Sequence, residues 1–287
     1  MSTAVDPQAF KSMQRQTWDS VAEGWKKWWK VIEENAQTVS DRLIELADIH
    51  QGNRVLDVAT GIGEPAVTAA KKVGPAGKVT AIDLSPGMLA IARERAKEIG
   101  LSNIIEFQES DAELLRLPQA TYDAVLCRFG LMFMPDVTAA LKAMRSSLVE
   151  SGRIAAAVWS SVDKVPSFKL PFEIIMRETG AKPPPPGLPG PFALADTKIL
   201  RQKFEDAGYQ SVRIESGTMN FKLPSSEKFV EFVRDTAGPL NAMMAGMPIE
   251  RQKQIWNKVE DATRRHADKK SGNIIFTNEV IFASAVR

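Results

Sequence analysis

Residues 55–66, VLDVATGIGEPA, hold the side chains of this sequence best placed to do chemistry. Gly61, Gly63 and Ala66 satisfy the spacing G-x-G-x-x-G/A, by which a tight turn brings backbone N–H groups and the start of a helix against a pyrophosphate. Asp57 ends the apolar run before the turn, and Glu64 follows its second glycine. A helix N-terminus attracts anions, so two carboxylates beside two phosphates would work against it. The same carboxylates favour a ligand that carries cations. The glycines keep their use there, because a backbone without Cβ atoms admits the ligand closely.

S-adenosylmethionine is such a ligand: it has no phosphate, and its methionyl end bears an ammonium and a sulfonium beside one carboxylate. Further residues fit it. Asp83, with Leu84 after it in DLSPGML, ends an apolar run twenty residues beyond Gly63, where a short carboxylate accepts from both ribose hydroxyls. A dinucleotide fold places an acid there for the same purpose, so Asp83 does not separate the two ligands. In ESDAELLRLP, Asp111 can accept from an adenine amino group, with the small apolar Ala112 beside it. CRFGLMFMPD follows the fourth strand as an apolar segment under the adenosine, and Arg128 within it sets a charge at the strand's carboxyl end, toward the ligand crevice.

The elements that must position these residues are legible as alternation. From Arg54 to Trp159, short β-branched runs alternate with helical periods, which predicts a parallel sheet flanked by helices. RVLDVA, KVTAID, IIEFQE, YDAVLC and RIAAAVW are the expected strands. The clearest helix has Ser85 as N-cap, Pro86 at its first position, Met88, Ala92 and Ile99 on one face and Gly100 as its stop. Ahead of this core, Trp18, Val21, Ala22, Trp25, Trp29 and Ile32 recur at helical spacing among Lys26, Lys27 and Lys30. After Trp159 the pattern loosens, and PPPPGLPGP predicts a stiff extended loop within an insertion on the working edge. A helix over DTKILRQKFEDAGY, a strand over QSVRIES, a helical excursion over 225–268 and a last strand over NIIFTNEVIFASAV complete the chain. No repeat period occurs.

DVATGIG, DLSPGML, SDAELLRLP and RFGLMF, in this order and spacing, resemble the class I S-adenosylmethionine-dependent methyltransferases, and most of all the branch with the ubiquinone/menaquinone biosynthesis C-methyltransferases. The resemblance covers about residues 15–160. It implies an α/β, Rossmann-like seven-stranded methyltransferase sheet with the last strand antiparallel and helical lid insertions. Ala59 stands where the common D-x-G-x-G-x-G pattern has its first glycine, as in that quinone branch. The family also places the position of Met88 near the adenosine, and WDSVAEGW resembles its W-D-x-x-A-x-x-Y, which implies Trp25 as the aromatic that closes over the cofactor. The cofactor-binding candidates are thus Asp57, Ala59, Gly61, Gly63, Asp83, Leu84, Met88, Asp111, Ala112, Arg128 and Trp25, with no metal and no assigned catalytic side chain. The expected organisation is a helical cap over 1–50, a cofactor-binding core over 51–160, substrate lids over 161–195 and 225–270, and completion of the sheet by 196–224 and 271–287.

The rest of the sequence narrows the chemistry. Among 287 residues, 44% are hydrophobic, enough for a sizeable core, and 37 basic against 35 acidic residues give a net charge of +2, too balanced for a nucleic-acid surface. CRFG after the fourth strand also differs from the [DN]-P-P-[FYW] signature that clamps an exocyclic base amine. A single cysteine, Cys127, leaves no disulfide framework, and His50 and His266 have no metal-ligand spacing. No secretory h-region and no run of eighteen apolar residues occur, so the expected location is the cytoplasm. WKKWWK allows transient contact with a membrane surface. Phe168, Phe172, Met176, Met243, Met244 and Met247 fall in the lid segments and suit a small hydrophobic acceptor of quinone, phenolic, polyketide or isoprenoid type. Asp136, Asp163 and His266 are unranked candidates for a general base. The rivals are an NAD-dependent oxidoreductase, for which Tyr122 and Tyr209 lack a Y-x-x-x-K arrangement, and a non-catalytic S-adenosylmethionine-binding protein. Nothing in the sequence sets an oligomeric state.

Overall fold

A computed structural model describes residues 6–115, 119–181 and 187–287. Strands β1 (Arg54–Val58), β2 (Lys78–Asp83), β3 (Ile105–Glu109), β4 (Tyr122–Arg128), β5 (Leu148–Trp159), β6 (Gln210–Leu223) and β7 (Ile274–Val286) form one sheet in the order β3-β2-β1-β4-β5-β7-β6. The first five strands are parallel, and β7 inserts antiparallel between β5 and β6. Val55, Leu56, Val125 and Leu126 are fully buried, as expected of central parallel strands covered on both faces.

Helices α1 (Pro7–Leu46), α2 (Ala66–Val73), α3 (Pro86–Glu98), α4 (Val137–Ser147), α5 (Pro166–Thr179), α6 (Thr197–Asp206), α7 (Ser226–Thr236), α8 (Gly238–Ala242) and α9 (Ile249–Thr263) surround it. The start of α3 is as read, with the Ser85 hydroxyl accepting from the Met88 N–H at 3.0 Å and Pro86 filling the first position, where no N–H is needed. Ile99, however, lies past the helix end and is exposed, apart from the buried Met88 and Ala92. All seven expected strands are present, with β5 beginning earlier than RIAAAVW and β6 running beyond QSVRIES.

Two elements depart from the sequence reading. The N-terminal helix extends over forty residues, because Asp6 caps it at the Gln8 N–H, 3.0 Å away, and its buried face continues past Ile32 through Ala36, Val39, Leu43 and Ile44. The loosened stretch after Trp159 contains α5, a helix with Pro171 inside it. Pro166 starts this helix, left-handed Gly180 ends it, and burial of Pro171, Ile174 and Ile175 against the core offsets the hydrogen bond that proline removes. Of the proline-rich loop, residues 182–186 lie outside the described residues, as do 116–118 of SDAELLRLP. Among the described residues no helix is long and apolar enough to cross a membrane, and no cluster of His, Cys, Asp and Glu could hold a metal ion.

Candidate cofactor and acceptor site

The carboxyl ends of β1 to β4 lie side by side and frame the candidate crevice. Asp57 lies beneath its floor, fully buried: one oxygen accepts from the Thr60 hydroxyl at 2.6 Å and the Ala66 N–H at 2.9 Å, and Oδ1 has no partner. Burial raises its pKa to about 7. Asp57 therefore shapes the glycine turn and contributes a field to it, while making no surface that a ligand could touch. Glu64 is buried too, accepting from the Thr68 hydroxyl at 2.8 Å, and burial also pushes its carboxyl upward. Gln37 of α1 completes this chain by donating to Thr68 at 3.2 Å.

Above the turn, Ala59, Gly61, Asp83, Leu84, Asp111, Ala112 and Arg128 each keep a partly exposed side. Asp83 ties the wall together: one oxygen accepts from the Gly61 N–H at 2.8 Å and the other from the Ser85 N–H at 2.9 Å. Its main-chain carbonyl accepts from Ser110 at 3.0 Å, which joins the end of β2 to the segment carrying Asp111. Each carboxylate oxygen retains a lone pair for a ligand hydroxyl. Ala59 and Gly61 have positive φ, 58° and 55°, and Gly63 packs on Ala92, which a Cβ there would approach to 3.4 Å.

Asp111 is engaged in a way the sequence does not announce. It accepts from the Glu113 N–H at 2.9 Å and from the Lys11 ammonium at 2.7 Å, and Lys11 reaches Glu113 at 2.6 Å as well. Helix α1 thus closes over the outer end of the crevice. It also lies along the glycine turn and the start of α3, where Val21, Ala22, Ile62, Met88 and Ile91 form a buried cluster flanked by Trp18, Trp25 and Trp29. The Asp19 carboxylate accepts from the Ser85 hydroxyl at 2.5 Å and the Gly87 N–H at 3.0 Å, so one helix supplies a cap to another. Trp25 meets Trp18 edge-on at 5.9 Å and donates from Nε1 to the Thr236 carbonyl at 3.3 Å.

WKKWWK is largely occupied within the molecule. Trp28 is buried and donates to Asp235 at 2.7 Å, Lys26 pairs with Glu94 at 2.6 Å, and Lys27 pairs with Glu231 and Asp235. Gly24 permits the close crossing with α7, since a methyl group there would run into the Asp235 carbonyl.

On the other side of the turn, Arg128 donates to the Ser40 hydroxyl at 2.7 Å. Phe129 stacks on Trp159 with centroids 4.1 Å apart and planes 13° apart, Trp159 meets Phe168 at 5.3 Å, and Phe168 meets Phe192 edge-on at 6.2 Å. This aromatic row begins one residue after Arg128, in the turn after β4 whose Gly130 packs against Ala59 of the glycine turn. Lid residues Met243 and Met247 are partly buried against the core, Met244 is fully buried, and Phe168 is exposed. The three general-base candidates have other work: Asp136 caps α4 at the Ala139 N–H, Asp163 pairs with Lys169, and His266 lies tilted against Phe276, with burial lowering its pKa. The open cavity of about 500 Å³ bordered by Ala120, Arg145, Glu150, Gln210 and Arg287 lies at the opposite end of the strands. It holds none of these residues.

A sheet of this order with an antiparallel β7, a glycine turn after β1 and an acid closing β2 defines the class I S-adenosylmethionine-dependent methyltransferase fold. The chain belongs to the ubiE/COQ5 methyltransferase family, whose sequence model matches residues 11–179. A ubiquinone/menaquinone biosynthesis C-methyltransferase from Pseudomonas putida is 39% identical over 111 residues, 39% of this chain and 43% of the relative. The chain thus spans less than half the length of the curated relatives it matches. Phosphoethanolamine N-methyltransferase 2 of Haemonchus contortus, solved with S-adenosyl-L-methionine, superimposes with a TM-score of 0.60 at 16% identity, over 97% of this chain and 60% of that one. The YcgJ protein of Bacillus subtilis gives 0.56 at 19% identity over 88% and 98%. These two structures share the fold. The residues at the strand ends fit S-adenosylmethionine: an acid with free lone pairs stands at the end of β2, and a guanidinium without an anion stands at the end of β4.

Proposed function

We propose that this protein transfers the methyl group of S-adenosylmethionine to a small apolar acceptor of aromatic or quinone type. The observation that carries this reading is the row from Phe129 through Trp159 and Phe168 to Phe192, which starts beside the glycine turn and leads to the exposed ring of Phe168. Aromatic faces offer flat acceptors offset or edge-on packing. The names of the curated relatives favour the same acceptor type.

The bound cofactor supplies an electrophilic methyl group on a sulfonium whose departing thioether is neutral. Asp83 would hold the ribose hydroxyls, and Ala59, Gly61 and Gly63 would let the methionyl chain lie on the backbone. Asp111, released from Lys11 or shared with it, would meet the adenine amino group, with Leu84 and Ala112 as the apolar surround and Met88 packed behind them. Trp18 and Trp25 on α1 exclude water. Positioning two reactants within ~3–3.5 Å supplies ~7–11 kcal/mol of such a barrier. No side chain is assigned as a base, and none is required unless the acceptor arrives protonated.

Balanced charge supports a small-molecule acceptor over a nucleic acid, and the cytoplasm remains the expected location. An oxidoreductase reading is disfavoured by its missing proton donor: Tyr122 and Tyr209 are both buried, and the Tyr122 hydroxyl is engaged with Thr80 at 3.1 Å. Calorimetry with S-adenosylhomocysteine and NAD, followed by incubation with methyl-labelled cofactor and reduced quinones or phenols, tests the proposal. Micromolar binding of S-adenosylhomocysteine and label in an aromatic product are expected. Binding of NAD alone would overturn it.

A further inference from the structure

We propose that Arg128 binds the α-carboxylate at the methionyl end of the cofactor, an assignment that rests on the S-adenosylmethionine reading above. Arg128 is the last residue of β4, one position after Cys127 and two after Leu126, which pairs with Asp57 on β1. Its side chain is therefore set over the glycine turn. It is partly buried, and among the described residues its one hydrogen-bond partner is the Ser40 hydroxyl on α1, with no carboxylate oxygen within 4.0 Å. A guanidinium carries five N–H donors in a planar fork, and taking it out of water without an anion is costly.

The nearest acids do not complete it. Asp57 is turned to Thr60 and Ala66, and Glu64 to Thr68, so both lie close enough to favour the charge while making no ion pair with it. The missing partner is an anion that enters from the crevice. The only anionic group of the cofactor is its carboxylate.

The direction of the ligand agrees. With adenine toward Asp111 and ribose on Asp83, the methionyl chain must continue past Gly61 to the side of the turn where Glu64 and Arg128 stand. A cation with two acids near it complements an amino-acid zwitterion: the carboxylate pairs with Arg128 as a fork, and the ammonium lies in the field of Asp57 and Glu64. Ser40, fully buried on the core-packed part of α1, fixes the guanidinium's orientation from behind.

Binding of S-adenosylmethionine and of its decarboxylated analogue, measured by calorimetry on the same protein, isolates this contact. Wild type is expected to prefer the carboxylated ligand by about 10- to 100-fold, the scale of a hydrogen-bonded charge pair. Arg128→Met should abolish that preference and change the affinity for the decarboxylated ligand by less than about threefold. Arg128→Lys should retain part of it. Equal losses for both ligands in Arg128→Met, or wild-type affinities that do not differ, would overturn the assignment. Should Arg128→Met fail to fold, Ser40→Ala decides: a loss confined to the carboxylated ligand supports the contact, and an equal loss for both removes it. Failure of wild type to bind either ligand would instead sink the methyl-donor reading and this contact with it.

Discussion

The methyl group of Ala59 occupies the space in which a side chain on Gly130 would begin: a Cβ built there would lie 2.5 Å from it and 2.9 Å from the Cys127 sulfur. Gly130 has φ −100°, a conformation open to any residue. Its glycine is required by contact and not by backbone geometry. Ala59, at φ 58°, sits in the left-handed region that favours glycine. The turn after β1 and the turn after β4 are therefore fitted to one another.

Gly130→Ala is expected to destabilise the protein by about 1–3 kcal/mol through overpacking. Ala59→Gly alone should stay within about 1 kcal/mol of wild type, because relief of the left-handed strain is offset by greater freedom in the unfolded chain. In the double variant Ala59→Gly should restore part of the loss. Denaturant unfolding of the four proteins measures the coupling, and strictly additive effects would refute the fit.

Asp83→Asn should weaken S-adenosylhomocysteine binding by about 1.5–3 kcal/mol, the range for lost hydrogen bonds to a charged group. One acceptor oxygen remains for Gly61 or Ser85, so the sheet should stay folded. Asp111→Ala should cost less, since Asp111 already spends itself on Lys11 and water can replace a single amino contact. Calorimetry ranks the two, and an unchanged dissociation constant for Asp83→Asn would move the ribose site elsewhere.

Asp57 links stability to pH. Its folded pKa of about 7 lies above the ordinary 3.8, with burial as the main cause. Between these values the folded protein holds a proton that the unfolded chain has released, so the Asp57 contribution is most favourable at low pH and is lost as pH rises toward 7. Asp57→Asn keeps an oxygen for Thr60 and Ala66 and does not titrate. Its stability relative to wild type should increase from pH 4 to pH 7 by up to a few kcal/mol. A constant difference across that window, measured by urea unfolding, would contradict the buried charge.

Asp19→Ala removes the acceptor for Ser85 and Gly87 and should loosen α1 at a cost of about 0.5–2 kcal/mol, the range for a lost N-cap. Hydrogen exchange over 15–32 should quicken in this variant, while β5 stays protected. In wild type, exchange over 15–32 and 236–250 should slow when S-adenosylhomocysteine is added. Deletion of residues 1–30 should leave the core folded and abolish turnover. Full activity of the truncated protein would reduce the tryptophan stripe, Trp25 included, to packing.

Local rules account for what was legible beforehand. Apolar runs of period two, the Ser85 and Pro86 start signal and the Gly100 stop mark strands and a helix wherever they occur, because each acts within a few residues. The glycine turn and the acid at Asp83 were readable for the same reason, since their spacing is set by one strand, one turn and the next strand. Helix α5 was hidden because Pro171 contradicts local propensity, and only burial of that face against the core makes the helix stable. Nothing near Lys11 announces Asp111, 100 residues away. Asp19 gave only a partial signal, as the acid of WDSVAEGW.

The sequence by itself thus determined the seven strands, most of the helices and the residue types that line a cofactor site, which follow from short-range patterns, while the antiparallel last strand was implied by the family resemblance. Tertiary structure alone decided which of those residues touch a ligand and which support others. Folding buried Asp57 beneath the turn, set Arg128 against Ser40 without an anion, paired Lys11 with Asp111 and stacked Phe129 on Trp159. Each of these joins segments far apart in the chain, and charge, exposure and contact at such a junction depend on distances that no local spacing encodes.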